Sequence, residues 1–171
     1  MEIEIEKTYL AKFLPQDLMN CQSKEIMDLY LPAPAKIRIR KSGDSYTITK
    51  KSLVREEDAS EQIEQNIKIT EEEFKSFSRI VTNSVHKIRY LYSHQGQTAE
   101  IDVFLDRFEG LVLIDFEFRS KEELDKFQMP EFCLADVTQE DCIAGGALSD
   151  SDFSSIKEFL EKYKYRKIFL N

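Results

Sequence analysis

Glu2-Ile3-Glu4-Ile5-Glu6 is the stretch from which this sequence is best read. Successive side chains of a strand point to opposite faces, so this alternation puts carboxylates on one face and isoleucines on the other. The pattern returns with opposite sign at Ile37-Arg38-Ile39-Arg40, and with acids again at Ile114-Asp115-Phe116-Glu117-Phe118. For any single segment, the plain reading is a wet face of an open sheet. Three such segments, carrying both signs of charge, predict a closed barrel lined by acids and bases, its apolar outside covered by helices. Such a lining suits a polyanion held through metal ions and arginines.

The bulk composition bounds the answer. With 171 residues, 42% hydrophobic and 33% charged, the chain is expected to form one globular domain over 1–171. No apolar run approaches membrane-spanning length and no signal-like segment opens the chain, so a cytoplasmic protein without a membrane partner is expected. A net charge of −8 disfavours nonspecific nucleic-acid binding, so any basic site must be local and enclosed. Cys21, Cys133 and Cys142 show no metal-type spacing and fit a reducing compartment.

Strands are expected at Met1 to Leu10, Lys36 to Lys41, Ser45 to Leu53, Gln62 to Ile69, Val85 to Ser93, Thr98 to Leu105 and Leu111 to Arg119. Tyr30-Leu31 reads as a short extended piece and Val54 to Ser60 as a charged loop. Hairpin turns fall at Ser42-Gly43-Asp44 and at His94 to Gln97. Thr70-Glu71-Glu72-Glu73 and Ser120-Lys121-Glu122-Glu123 are capping boxes. The first opens a helix with Phe74, Phe77, Ile80 and Val81 on one face, and the second a helix through Phe127. Gly145-Gly146 reads as a turn, and Asp150 to Tyr163 as a final helix. The class is α+β, built on antiparallel hairpins.

Candidate chemistry follows the same alternation. Glu4 and Glu6 share a face, as do Asp115 and Glu117, and Glu100 and Asp102; Glu64 sits in the middle strand. Hard divalent cations prefer such oxygen ligands and commonly bridge to phosphates. Arg38 and Arg40 share a face, as do Lys87 and Arg89, with Lys50 on the neighbouring hairpin strand; the plain alternative is surface ion pairing, worth about 0–1 kcal/mol a pair. His86 lies opposite Lys87 and Arg89, so packing or a surface role suits it better than catalysis. Tyr30 is the one aromatic hydroxyl of interest.

Taken in order, Glu4-Ile5-Glu6, Tyr30-Leu31, Arg38-Ile39-Arg40, Thr47-Ile48-Thr49-Lys50, Lys87-Ile88-Arg89-Tyr90, Glu100-Ile101-Asp102-Val103-Phe104, Asp115-Phe116-Glu117-Phe118 and Asp136-Val137-Thr138 resemble the CYTH superfamily of triphosphate tunnel metalloenzymes. The resemblance spans nearly the whole chain and is greatest to short bacterial inorganic triphosphatase-like members. It implies an eight-stranded antiparallel β-barrel whose tunnel hydrolyses a triphosphate-containing small molecule, inorganic tripolyphosphate above others, in a monomer or homodimer. It further implies Glu4, Glu6, Asp102, Asp115 and Glu117 as ligands of Mg²⁺ or Mn²⁺. Arg38, Arg40, Lys50, Lys87 and Arg89 would grip phosphate, and Glu64 or Tyr30 would orient water. Thiamine triphosphatase and class IV adenylate cyclase are other activities of the superfamily.

The sequence departs from the family pattern at three places. Thr8 stands where the family's Glu-x-Glu-x-Lys motif has its lysine, while Lys7 falls on the opposite face. Gln62-Ile63-Glu64-Gln65-Asn66 keeps one of two usual acids. Cys142-Ile143-Ala144-Gly145-Gly146 replaces a stretch that usually carries an arginine and an asparagine. These losses favour, as the alternative, a module that binds a phosphorylated ligand without turnover.

Overall fold

The computed structural model describes residues 2–55 and 58–170. Its strands are β1 (Glu2–Ala11), β2 (Gln22–Tyr30), β3 (Ile37–Ser42), β4 (Ser45–Arg55), β5 (Asp58–Lys68), β6 (Ser84–His94), β7 (Gln97–Phe104), β8 (Val112–Phe118) and β9 (Cys133–Asp136). They form one antiparallel sheet in the order β5-β4-β3-β2-β6-β7-β8-β1-β9, and β1 also pairs with β5. That extra ladder closes eight strands into a barrel. One edge of β1 is shared end to end: β5 pairs with it from Glu2↔Glu64 to Ile5↔Glu61, and β9 takes over from Tyr9↔Asp136. β8 holds the other edge.

The turns are set by local chemistry. Gly43 has φ +56° in the β3–β4 hairpin, and Gln95 and Gly96 have φ 50° and 82° between β6 and β7. Positive φ at both central residues, as at Gln95-Gly96, or at the first alone, as at Gly43, gives a turn whose twist matches that of the strands it joins. Helix α1 (Glu71–Ser78) carries the full capping box, with Thr70 accepting from the Glu73 amide and Glu73 from that of Thr70. It buries Phe74 beside Leu29, Ile39 and Val81, whereas Ile80, expected on the same face, is 76% exposed because the helix ends before it. At α2 (Lys121–Lys126) the box is half made: Ser120 caps Glu123, but the Glu123 carboxylate takes the Arg119 amide.

The outward rows of β1, β7 and β8 (Tyr9, Ile101, Val103, Ile114, Phe116, Phe118) pack under Leu124, Phe127 and Phe132. The inward rows change character along their length. Glu4, Glu6 and Thr8 lead to Leu10, Glu100 and Asp102 to Phe104, Glu117 and Asp115 to Leu113, and Arg89 and Lys87 to Val85. Leu10, Val85, Phe104 and Leu113 then cluster with Ile143 and with Leu148 of α3 (Gly145–Ser149). The interior is therefore charged over one part and apolar over the other.

Several expectations change. Residues 22–29, which carried no assignment, form most of β2, since Ile26, Asp28 and Tyr30 alternate with Met27 and Leu29. Val54 to Ser60 is largely strand, with Arg55 paired to Asp58; residues 56–57 of that expected loop, and Met1 of the first expected strand, lie outside the described residues. Gly145-Gly146 opens α3 rather than a turn: a Cβ on Gly145 would lie 2.0 Å from the Tyr30 hydroxyl, so only glycine lets the backbone pass there. The final helix shrinks to α4 (Lys157–Lys162), because Asp152 caps the preceding Ser154–Ser155 turn instead of starting a helix.

Candidate functional site

The charged part of the interior has an acidic side and a basic side. Glu4 and Glu6 of β1, Glu100 and Asp102 of β7, and Asp115 and Glu117 of β8 occupy adjoining inward rows, in the registers Glu6↔Glu117 and Glu100↔Asp115. Arg38 and Arg40 of β3, Lys51 of β4, and Lys87 and Arg89 of β6 face them. Three clusters result.

In the first, Lys51 Nζ lies 2.8 Å from Glu4 Oε2, 3.3 Å from Glu64 Oε2 and 3.5 Å from Glu6 Oε1. Burial alone would lower the Lys51 pKa, but the charges of Glu6 and Glu4 outweigh it and raise it above its ordinary value. Glu64 also accepts from the Asn66 amide at 2.6 Å.

In the second, Arg89 forks onto Asp102 with both contacts at 2.6 Å, reaches Asp115 Oδ2 at 3.2 Å and pairs with Glu100. Lys87 Nζ donates to the same Asp102. Burial by itself would raise the Asp102 pKa, but Arg89 and Lys87 hold it far below the usual carboxylate range. Burial lowers the Lys87 pKa more than Asp102 raises it.

In the third, Asp28 is 0% exposed and takes Arg40 Nε and Nη2 at 2.6 and 2.7 Å. Arg40 and its hydrogen bonds outweigh burial and keep the Asp28 carboxyl ionised below its ordinary pKa.

Arg38 stands apart from these clusters. Its Nη2 reaches Thr49 Oγ1 at 3.4 Å and Glu64 Oε2 at 3.9 Å, and its Nε is buried with no hydrogen-bond partner among the described residues. A buried guanidinium donor left open is costly, and an anion would satisfy it. On the acidic side, Glu117 is solvent-exposed, yet partial desolvation and then the charges of Glu100, Glu4 and Glu6 push its pKa up to about 7. Burial raises Glu6 and Glu100 as well.

No protein-family model matches the sequence, and no curated protein does. Solved structures do match. A crystal structure described as the inorganic triphosphatase NE1496 aligns with TM-score 0.67 and 25% identity, over 88% of this chain and 97% of its own. The chain has the triphosphate-tunnel fold of the CYTH superfamily. A candidate adenylate cyclase from Bacillus halodurans (TM-score 0.54, 14% identity, 99% and 94% covered) shares the fold of this CYTH tunnel. So does a Hippeastrum protein described as a candidate adenylyl cyclase with a dominant triphosphatase activity (0.51, 13%, 96% and 88%).

Within the CYTH tunnel, most residues singled out in the sequence stand together, and one does not. Lys50 is exposed on the outer face; Lys51 occupies the interior in its place. Alternation contained that answer, because Ile48 packs outward beside the Phe74 cluster and so puts Lys50 outside with it, and Thr49 and Lys51 inside. Asp28 was missed because its strand was missed. Asp102, expected among metal ligands, has its oxygens committed to Lys87 and Arg89. Lys7 points outward and pairs with Asp136 at 3.1 Å, while Thr8 faces in and donates to Asp115 Oδ1 at 2.7 Å, as alternation requires. The Tyr30 hydroxyl is pressed against Gly145, and burial, then Asp28, push its pKa up to about 12.

Among the described residues, no three His, Cys, Asp or Glu side chains form a ready metal cage. The donor chemistry nonetheless fits a hard cation. The ligands on hand are all carboxylate oxygens, and burial foremost, with neighbouring acids adding to it, raises the pKa values of Glu6, Glu100 and Glu117, a cost that a bound cation would offset. Both histidines lie elsewhere: His86 is held between Glu25 and Asp106, and His94 stacks on Tyr92 and meets Phe132 edge to face.

Proposed function

We propose that this chain is a metal-dependent triphosphatase acting on a linear triphosphate, inorganic tripolyphosphate above others, within the barrel. The observation that carries the proposal is the juxtaposition, inside one closed wall, of a side crowded with carboxylates and a basic side with an open guanidinium donor at Arg38. The likeness to a solved inorganic triphosphatase supports it.

In this reading Glu4, Glu6 and Glu117, with Asp115 and Glu100, hold Mg²⁺ or Mn²⁺. Such an ion, when bound, polarises a phosphoryl oxygen and offsets charge that develops on it. Arg38 and Lys51 grip the phosphates, and Arg89, Lys87 and Arg40 supply a fixed positive wall because Asp102 and Asp28 lock them in place. Preorganised donors of this kind need no rearrangement as charge shifts in the transition state. Glu64, held by Asn66 beside Lys51 and Arg38, is placed to orient the attacking water; Tyr30, with its proton held on by burial, serves as a donor rather than a base.

The second reading, a module that binds the ligand without turnover, draws on Thr8 in place of the family's lysine and on the ion pairs that already engage Lys51 and Arg89. Phosphate release from tripolyphosphate, thiamine triphosphate and ATP, with Mg²⁺, Mn²⁺ or EDTA, separates the two. The triphosphatase reading expects metal-dependent release from tripolyphosphate that Arg38→Ala abolishes. Tight tripolyphosphate binding with no release under any metal would refute it in favour of the binding module.

A further inference from the structure

The basic residues of the tunnel differ in how firmly they are held. Arg40 is fixed by an acid 0% exposed, and Lys87 and Arg89 by one 1% exposed. Lys51 has one buried partner, Glu64 at 3.3 Å, but its other two are acids that solvent can reach: the side chains of Lys51, Glu4 and Glu6 are 27%, 22% and 19% exposed. Among the described residues, Lys51 is the sole cation in ion-pair contact with Glu4 and Glu6. Thr8 brings no second charge to this strand face and spends its hydroxyl on Asp115.

Resting on the triphosphatase reading, we propose that Lys51 is an internal counter-cation that competes with the divalent metal for Glu4 and Glu6, and that its ammonium is released to phosphate when metal binds. Lysine suits this part. Its ammonium has three donors, which here meet three carboxylates, and its flexible stem lets the charge relocate without moving the backbone. A destination lies on the neighbouring strand, since β4 pairs with β3 through Thr49↔Arg38 and the Nε of Arg38 lacks a partner among the described residues. An ammonium turned from Glu4 toward Arg38 would complete an anion site there. Coupling of this kind is reciprocal: if metal makes phosphate bind more tightly, phosphate does the same for metal. The metal site and the phosphate site would thus share one movable charge.

The test is calorimetric titration of metal-free protein with Mn²⁺ alone, in the absence of any phosphate. Lys51→Met should bind Mn²⁺ more tightly than wild type, on the order of tenfold, the scale of one charge-assisted hydrogen bond. Lys51→Arg, which keeps the charge, and Lys50→Met, which removes the neighbouring charge outside the barrel, should both bind as wild type does. Equal or weaker binding by a folded Lys51→Met overturns the competition and leaves the triphosphatase reading standing. Absence of Mn²⁺ binding in wild type and in a folded Lys51→Met alike overturns both. Should Lys51→Met not fold, the ¹⁵Nζ resonance of Lys51 in wild type reports the same event during Mg²⁺ titration. A shift with faster proton exchange supports release, and an unmoved signal overturns it.

Discussion

Asp28→Asn keeps the shape of the side chain and removes its charge from beneath Arg40. Both Asp28 oxygens accept guanidinium protons, at 2.6 and 2.7 Å, and the residue is 0% exposed. Asparagine offers one oxygen and an NH₂ donor, so one Arg40 donor loses its acceptor and the enclosed cation loses its counter-charge. Breaking a buried pair from one side costs about 3–5 kcal/mol. For a chain of this length, each kcal/mol moves the midpoint by about 2–4 °C, so Tm should fall by about 6–20 °C. The pH dependence has a definite sign. The folded pKa of Asp28 lies below the ordinary value, so its contribution is fully present above about pH 3.9 and is lost as pH falls through the folded value. The gap between wild type and variant should therefore narrow in acid. Urea unfolding followed by circular dichroism measures both effects, and Asp28→Leu with Arg40→Met should recover part of the loss. A loss below about 1 kcal/mol would refute the reasoning, because the pair would then be behaving like one on the surface.

Thr8→Lys places an ammonium on the inward row of Glu4 and Glu6 and should tighten tripolyphosphate binding on the order of tenfold to a hundredfold by calorimetry. Lys7→Ala should change binding little, and the reverse pattern would mean that the inward row of β1 has been misread. Glu117, its pKa pushed up to about 7, carries in the folded state a proton that the unfolded chain releases near its ordinary value. Stability in EDTA should therefore decline as pH rises from about 4.3 toward 7, and Glu117→Gln should flatten that decline. Denaturation midpoints with equal slopes in the two proteins would count against it.

Period-two charge was enough to read the barrel, because a closed wall imposes strict alternation on every strand and Glu4, Arg38 and Asp115 obey it. What escaped was governed by distant packing. Asp28 sits in a strand whose charge alternation is blurred by Ile26, an apolar residue on the inward row next to the outward Met27 and Leu29, so nothing local marked it as strand. Lys50 and Lys51 are chemically equivalent neighbours, and only the packing of Ile48 against α1 tells which faces inward. Gly145 owes its identity to Tyr30, a contact between residues far apart in the chain. The pairing of specific acids with specific bases was likewise invisible, since it depends on which rows adjoin around the ring.

The closure of the barrel has a consequence for the newly made chain. Thr8 finds its partners Asp115 and Thr138 107 and 130 residues further on. During synthesis β1 therefore leaves the ribosome well before β5, β8 or β9 exists to pair with it. An unpaired strand with an isoleucine face is a template for joining another nascent copy. Glu4 and Glu6 oppose this, because like charges brought face to face weaken pairing between two such strands. The carboxylates that later line the tunnel thus act first as gatekeepers, keeping the waiting strand from the wrong partner.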